Sequence, residues 1–176
     1  MENLAETLRS LESKKPTLIK QALSEIPDWD SFLKHKRESQ FGAMLRAVSP
    51  TLTLIYSSSP DVDFHRLKGV RSFYDVMAEA FGESFEGDSW TFISESLEGQ
   101  TGWLRHYDLA QLFHWCCVGT SSWTLWDKDE NETHFIVEAG DILSIPSGMD
   151  HEVESLTEHR AGIAYATYGY VNNRTK

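Results

Sequence analysis

Two histidines and an aspartate in this 176-residue chain stand where they could hold one metal ion: His106, Asp108 and His151. His106-Tyr107-Asp108 is an H-x-D unit. On a strand, residues i and i+2 share a face, so both side chains can point at one centre. His151 ends the stretch Gly140-Asp141-Ile142-Leu143-Ser144-Ile145-Pro146-Ser147-Gly148-Met149-Asp150-His151. Ile142, Leu143 and Ile145 form an apolar run. Pro146-Ser147-Gly148 then bends the chain, because Pro fixes φ and Gly tolerates φ > 0, and the bend aims His151 at a set place. Two imidazoles and one carboxylate make a facial triad that leaves coordination positions open, a donor set that suits non-haem Fe(II). His114 alternates in phase with His106 and is expected as a packed or outward-facing side chain rather than a fourth ligand. Trp115, Trp123 and Tyr165 are candidates either for pocket walls or for core. Glu152 either faces solvent or orients a ligand histidine.

These residues need strands to carry them. From Ser89 onward, short β-rich runs recur at about ten-residue spacing, the signal of a sandwich or barrel. Strands are predicted at 89–94, 102–107, 112–118, 122–126, 133–137, 141–145, 151–155 and 161–168. That is the strand number of a jelly roll. The N-terminal half reads differently. Leu4, Leu8 and Leu11 recur on one helical face, and Val70, Phe73, Tyr74, Met77 and Phe81 on another. A further helix starts at Asp28-Trp29-Asp30, with Asp28 or Asp30 as its cap, and runs out in the solvated basic cluster Lys34 to Arg37. Thr17-Leu18-Ile19 and Leu52 to Tyr56 are strand candidates, and Asp61 to Lys68 is read as a loop. The prediction is one domain over 1–176, with a helical N-terminal cover at 1–88 packed on one sheet of a jelly-roll core at 89–170.

The composition bounds the partners. A formal charge of −11 and no basic stripe disfavour nucleic acid, whereas a basic protein or a small molecule remains a possible substrate. Cys116 and Cys117 are adjacent in an apolar run, so they form neither a disulfide framework nor a CxxC site and read as buried small hydrophobes. No apolar run reaches the ~18 residues of a membrane span, and the polar, amphipathic start lacks the apolar core of a secretory signal. The expected location is cytoplasmic.

Gly140-x5-Pro146-x-Gly148-x2-His151 matches the second cupin motif, and the chain resembles the cupin, or double-stranded β-helix, proteins. The first cupin motif is not met. In its place stand His106-Tyr107-Asp108, then Phe113, Gly119, Trp123, Leu125 and Trp126, an arrangement similar to the JmjC-type and cupin-like protein hydroxylases, which include asparaginyl hydroxylases and ribosomal oxygenases. Lys15-Pro16-Thr17-Leu18-Ile19-Lys20 and Pro27-Asp28-Trp29-Asp30 resemble the entry segment of that group. The resemblance implies a mainly β double-stranded β-helix, with Fe(II) on His106, Asp108 and His151. It also implies 2-oxoglutarate as cosubstrate and hydroxylation of a protein side chain or a small molecule. One departure stands out. The lysine that usually binds the distal carboxylate of 2-oxoglutarate is replaced by Ser121, flanked by Thr120 and Ser122. Arg160, nine positions after His151, has instead the spacing of the prolyl-hydroxylase branch, where an arginine on the last core strand takes that carboxylate. Its planar fork suits the task. The implied 2-oxoglutarate contacts are therefore Arg160, with hydroxyls from Ser121 and Ser122. A metal-binding cupin with 2-oxoacid-independent chemistry and a non-catalytic cupin used for binding or assembly stay open. Homodimers are common in the resembled group, and Tyr168 and Tyr170 are the candidate contact.

Overall fold

The computed structural model describes residues 3–11, 14–39, 44–47, 52–57, 67–82, 85, 89–94 and 101–167. In chain order these residues form α1 (Leu4–Ser10), β1 (Thr17–Ile19), α2 (Trp29–Ser39), β2 (Met44–Ala47), β3 (Leu52–Ser57) and α3 (Val70–Phe81). The strands β4 (Ser89–Ser94), β5 (Thr101–His106), β6 (Gln111–Val118), β7 (Thr120–Trp126), β8 (Glu132–Glu138), β9 (Ile142–Ile145), β10 (Asp150–Ser155) and β11 (Arg160–Thr167) follow. They make a seven-stranded sheet, ordered β1-β9-β6-β11-β4-β3-β2, and a four-stranded sheet, ordered β5-β10-β7-β8. Each of these pairings is antiparallel.

Two cores lie on the two faces of the large sheet. On its outer face, Ala5 and Leu8 of α1, Phe32 of α2 and Val70, Phe73, Met77 and Phe81 of α3 pack on Ile93, Phe113, Trp115, Ile163 and Tyr165. The helical spacing of those α3 residues produces this face. Arg9 ties α1 to the end of α3 by donating to the carbonyls of Glu79 and Ala80, at 2.8 and 3.2 Å. Those are groups that a helix C-terminus leaves without an intrahelical partner. Between the sheets, Cys116, Trp123, Leu125, Val137, Leu143, Ile145 and Val153 form the second core.

This arrangement gives β6 and β11 two buried faces. In β6, Phe113, Trp115 and Cys117 look toward the helices, and His114 and Cys116 look between the sheets. Cys116 and Cys117 are both buried and unoxidised, each in a different core. In β11, Ala161, Ile163 and Tyr165 join the helical side, whereas Arg160 and Ala164 line the interior.

The predicted strands of the core recur at nearly the predicted bounds. The N-terminal helices pack on one sheet as expected, and the strand candidates at 17–19 and 52–56 join that sheet as β1 and β3, whereas β2 has no counterpart among the predicted elements. β3 pairs with β4 over Leu52 to Ser57 and presents its far edge to β2. An open strand edge exposes backbone donors and acceptors that a further strand satisfies. Tyr168 and Tyr170 lie outside the described residues.

Candidate metal centre and its cavity

The two histidines are brought together by strand register. β5 and β10 pair antiparallel with His151 opposite His106, and the two rings lie 4.3 Å apart between centroids. On the outer face of the same strand pair, Arg105 donates to Asp150 at 2.7 Å and to Glu130 at 2.8 Å and lies 4.4 Å over the Trp126 ring. This clamp holds the register that sets the histidines side by side. Asp108 arrives differently from the strand reading. β5 ends at His106, so Asp108 is not on a strand face with it. The turn holds it instead: the Gly148 N–H donates to the Asp108 carbonyl at 2.8 Å, and the Ser147 hydroxyl donates to the Leu109 carbonyl at 2.7 Å. Gly148 has φ +73, which its missing Cβ permits. The Pro146–Gly148 turn thus delivers His151 and anchors Asp108.

The ligand atoms of His106, Asp108 and His151 all lie within 4.8 Å of one another. Both imidazoles are oriented alike. His106 Nδ1 lies 2.8 Å from the Leu104 carbonyl and His151 Nδ1 3.0 Å from the Met149 carbonyl. A carbonyl oxygen only accepts, so Nδ1 carries the proton in each ring and Nε2 carries the lone pair. Burial pulls the His151 imidazole below its ordinary pKa, against the upward pull of the Met149 carbonyl, and so favours the neutral ligand form. Its Nε2 lies 3.4 Å from Asp108 Oδ2. With Nδ1 protonated, that contact sets a nitrogen lone pair against a carboxylate, two acceptors with no proton between them. A cation resolves it, and the donor set fits a divalent transition metal.

The triad opens onto a cavity walled by Trp90, Phe92, Leu112, Trp123, Val153 and Ala164, with His114 and Arg160 also on its surface. Trp123 is therefore a wall, whereas Trp115 and Tyr165 belong to the helix-side core. Arg160 is 2% exposed, and its Nε and Nη1 have no hydrogen-bond partner. Burial lowers its pKa to about 10, so it is still a cation at neutral pH. Ser121 and Ser122 are not among the residues lining this cavity. The Ser121 hydroxyl is buried and accepts from Trp123 Nε1 at 2.9 Å, and Ser122 alternates to the other face of β7. Glu152 likewise alternates away from His151 on β10, and backbone carbonyls orient both histidines. His114, expected as packed or outward-facing rather than a fourth ligand, is packed: it is 2% exposed, lies against Trp123 and Phe92, and is not grouped with the triad.

No protein-family model and no curated protein matches the sequence. Solved structures do match the fold. The YcfD ribosomal oxygenase from Escherichia coli aligns with TM-score 0.66 at 18% identity over 95% of this chain and 51% of its own. Its complex with cobalt and 2-oxoglutarate aligns at 0.65 and 17%, over 95% and 52%. Oxalate decarboxylase from Bacillus subtilis aligns at 0.52 and 13%, over 72% and 27%. The chain spans about half the length of those oxygenase chains. Among the described residues, no helix is long and apolar enough to cross a membrane. With its two antiparallel sheets and helix-covered outer face, the chain has the cupin jelly-roll fold.

Proposed function

We propose that the protein is an oxygenase that uses Fe(II) and 2-oxoglutarate, with His106, Asp108 and His151 as the metal ligands. Bound there, the metal would couple oxidation of the 2-oxoacid to oxygenation of a second substrate. The chain's own residues do the rest. The Leu104 and Met149 carbonyls hold the imidazoles with Nε2 inward. Arg160 offers two unpartnered nitrogens to the distal carboxylate of the cosubstrate from within the same cavity, which is the observation that carries the reading. Trp90, Phe92 and Trp123 exclude water around it and strengthen that ion pair. The second substrate reaches the centre past the half-exposed Asp108, from the side of exposed Leu104, Tyr107 and Leu109, and is a protein side chain or a small molecule. A cytoplasmic location and a homodimer belong to the same proposal.

Anaerobic addition of 2-oxoglutarate to the Fe(II)-loaded protein should raise a weak visible charge-transfer band, and air should bring 2-oxoglutarate-dependent oxygen uptake. Absence of both sinks the proposal. A second reading, a metal-binding cupin with 2-oxoacid-independent chemistry, draws on Ser121, whose hydroxyl is engaged by Trp123 where the related hydroxylases carry lysine. It predicts metal binding indifferent to 2-oxoglutarate and to Arg160→Ala.

A further inference from the structure

Beside Arg160 stands a second polar group without a partner. His114 is 2% exposed, lines the same cavity, and its Nδ1 makes no hydrogen bond. It packs on Trp123 and Phe92, with centroids 4.8 and 5.5 Å away. Burial first, and the Arg160 charge second, push its pKa well below the ordinary value, so it is a neutral imidazole. Buried polar groups are nearly always hydrogen-bonded, and an orphan calls for an explanation. Three orphaned nitrogens on two neighbouring side chains call for one explanation: the Nδ1 of His114 and the Nε and Nη1 of Arg160.

Gly162 points the same way. It is not among the glycines with positive φ, so the backbone does not require glycine there. Space does: a Cβ would lie 2.7 Å from His114 Cε1, 3.0 Å from His114 Nε2 and 2.7 Å from the Trp115 carbonyl oxygen. The strand that carries Arg160 is therefore bare where both the imidazole and the β6 backbone come close.

We propose that His114 is a cosubstrate-binding residue: its imidazole hydrogen-bonds the same distal carboxylate that Arg160 pairs with, and Gly162 provides the clearance for it. The inference rests on the reading of the cavity as a 2-oxoacid site and adds the group that selects a dicarboxylate. A carboxylate presents two oxygens with about four lone-pair sites, enough for the guanidinium fork and one imidazole N–H. The Arg–His pair does here what a lysine does in the related hydroxylases, and it explains how Ser121 can be given over to Trp123.

The test compares two ligands on Fe(II)-loaded, oxygen-free protein by the charge-transfer band: 2-oxoglutarate, and 2-oxobutanoate, which chelates alike but lacks the distal carboxylate. His114→Phe preserves the packing on Phe92 and Trp123. It should weaken 2-oxoglutarate about 10-fold or more, the typical effect of losing a hydrogen bond to a charged group. Fe(II) and 2-oxobutanoate affinities should hold, and His114→Gln should recover part of the loss. Unchanged 2-oxoglutarate binding in His114→Phe, or equal weakening of both ligands, overturns the assignment and leaves the oxygenase reading standing. If wild type discriminates no dicarboxylate and shows no band with either ligand, that reading and this inference fall together. Should the phenylalanine variant not fold, ring-nitrogen resonances of histidine-labelled wild type decide. With Zn(II) in the site, 2-oxoglutarate and not 2-oxobutanoate should shift the His114 signal, assigned through His114→Gln, and an unmoved signal overturns the proposal.

Discussion

Replacing Arg160 by methionine should stabilise the ligand-free protein while abolishing its response to 2-oxoglutarate. The guanidinium is 2% exposed, and two of its nitrogens lack partners. Burial brings its pKa down from the ordinary arginine value to about 10. A drop of that size corresponds to about 3 kcal/mol of preference for the uncharged form. Methionine keeps much of the apolar stem, so little packing is lost. A net gain of about 1–3 kcal/mol is expected, since exchanging an unpaired buried charge for an apolar group of similar volume is commonly stabilising. For a chain of this size each kcal/mol moves the melting temperature by roughly 2–4 °C. The sign with pH follows from the direction of the shift. Arg160 is a base whose folded pKa lies below its ordinary value, so its charge opposes folding at every pH below about 10, and the opposition fades only above that. The wild-type deficit should therefore be constant through the neutral range. The assay is thermal unfolding of metal-free protein in dilute buffer without phosphate or carboxylates, then with metal and 2-oxoglutarate. Metal should raise both midpoints, and 2-oxoglutarate added to the metal-loaded protein should raise the wild-type midpoint further and leave Arg160→Met unmoved. If the methionine variant melts below wild type without ligand, Arg160 is a satisfied structural residue, and the argument from an unpaired cation is wrong.

Other perturbations separate the metal centre from its frame. His106→Ala and His151→Ala should each lower metal affinity by at least about 100-fold, read by anaerobic Fe(II) titration, since two remaining donors do not make a facial triad. Asp141 is fully buried and accepts from Lys20 Nζ at 2.8 Å, the Gln21 N–H at 3.0 Å and the Glu138 N–H at 2.9 Å. Asp141→Asn should cost about 1–3 kcal/mol in urea unfolding without displacing the triad. Burial alone would raise the Asp141 pKa, but the Lys20 and backbone hydrogen bonds outweigh it and hold it below 3.8. Its contribution should thus be complete above 3.8 and be lost as pH falls through the lowered value. Gly162→Ala should depress 2-oxoglutarate affinity by displacing His114, whose ring a Cβ would meet at 2.7 Å, and circular dichroism should still report a folded jelly roll.

The approach of His151 to His106 was legible because a local signal marks His151. Pro146 and Gly148 mark a turn that has only a few geometries, and the histidine just past it inherits a direction. The strands from β4 to β11 were legible because turn residues punctuate them at regular intervals. Asp108 was placed with the right partners by an incomplete argument: strand period suggested a shared face, whereas a backbone hydrogen bond from Gly148, far along the chain, holds the residue. Long-range backbone ties of that kind leave no trace in periodicity. β2 was missed because an edge strand in a partly helical region carries little alternation, and its pairing with β3 decides its state.

The cavity floor was hardest to read, for a reason built into the fold. A strand with one wet face advertises its orientation by alternating polarity, but β6 is covered on both faces, and Phe113 through Cys117 are all buried. Within such a run a histidine reads as one more packed side chain. Only the sheet order reveals that even-numbered positions of β6 and β11 face the other sheet, so that His114, Arg160 and Gly162 converge. The same double burial makes the convergence informative. On a one-sided sheet a polar residue can turn to water at little cost, whereas here three enclosed nitrogens of Arg160 and His114 without hydrogen-bond partners cost the fold stability. Under the proposed function, an arriving dicarboxylate would remove that deficit.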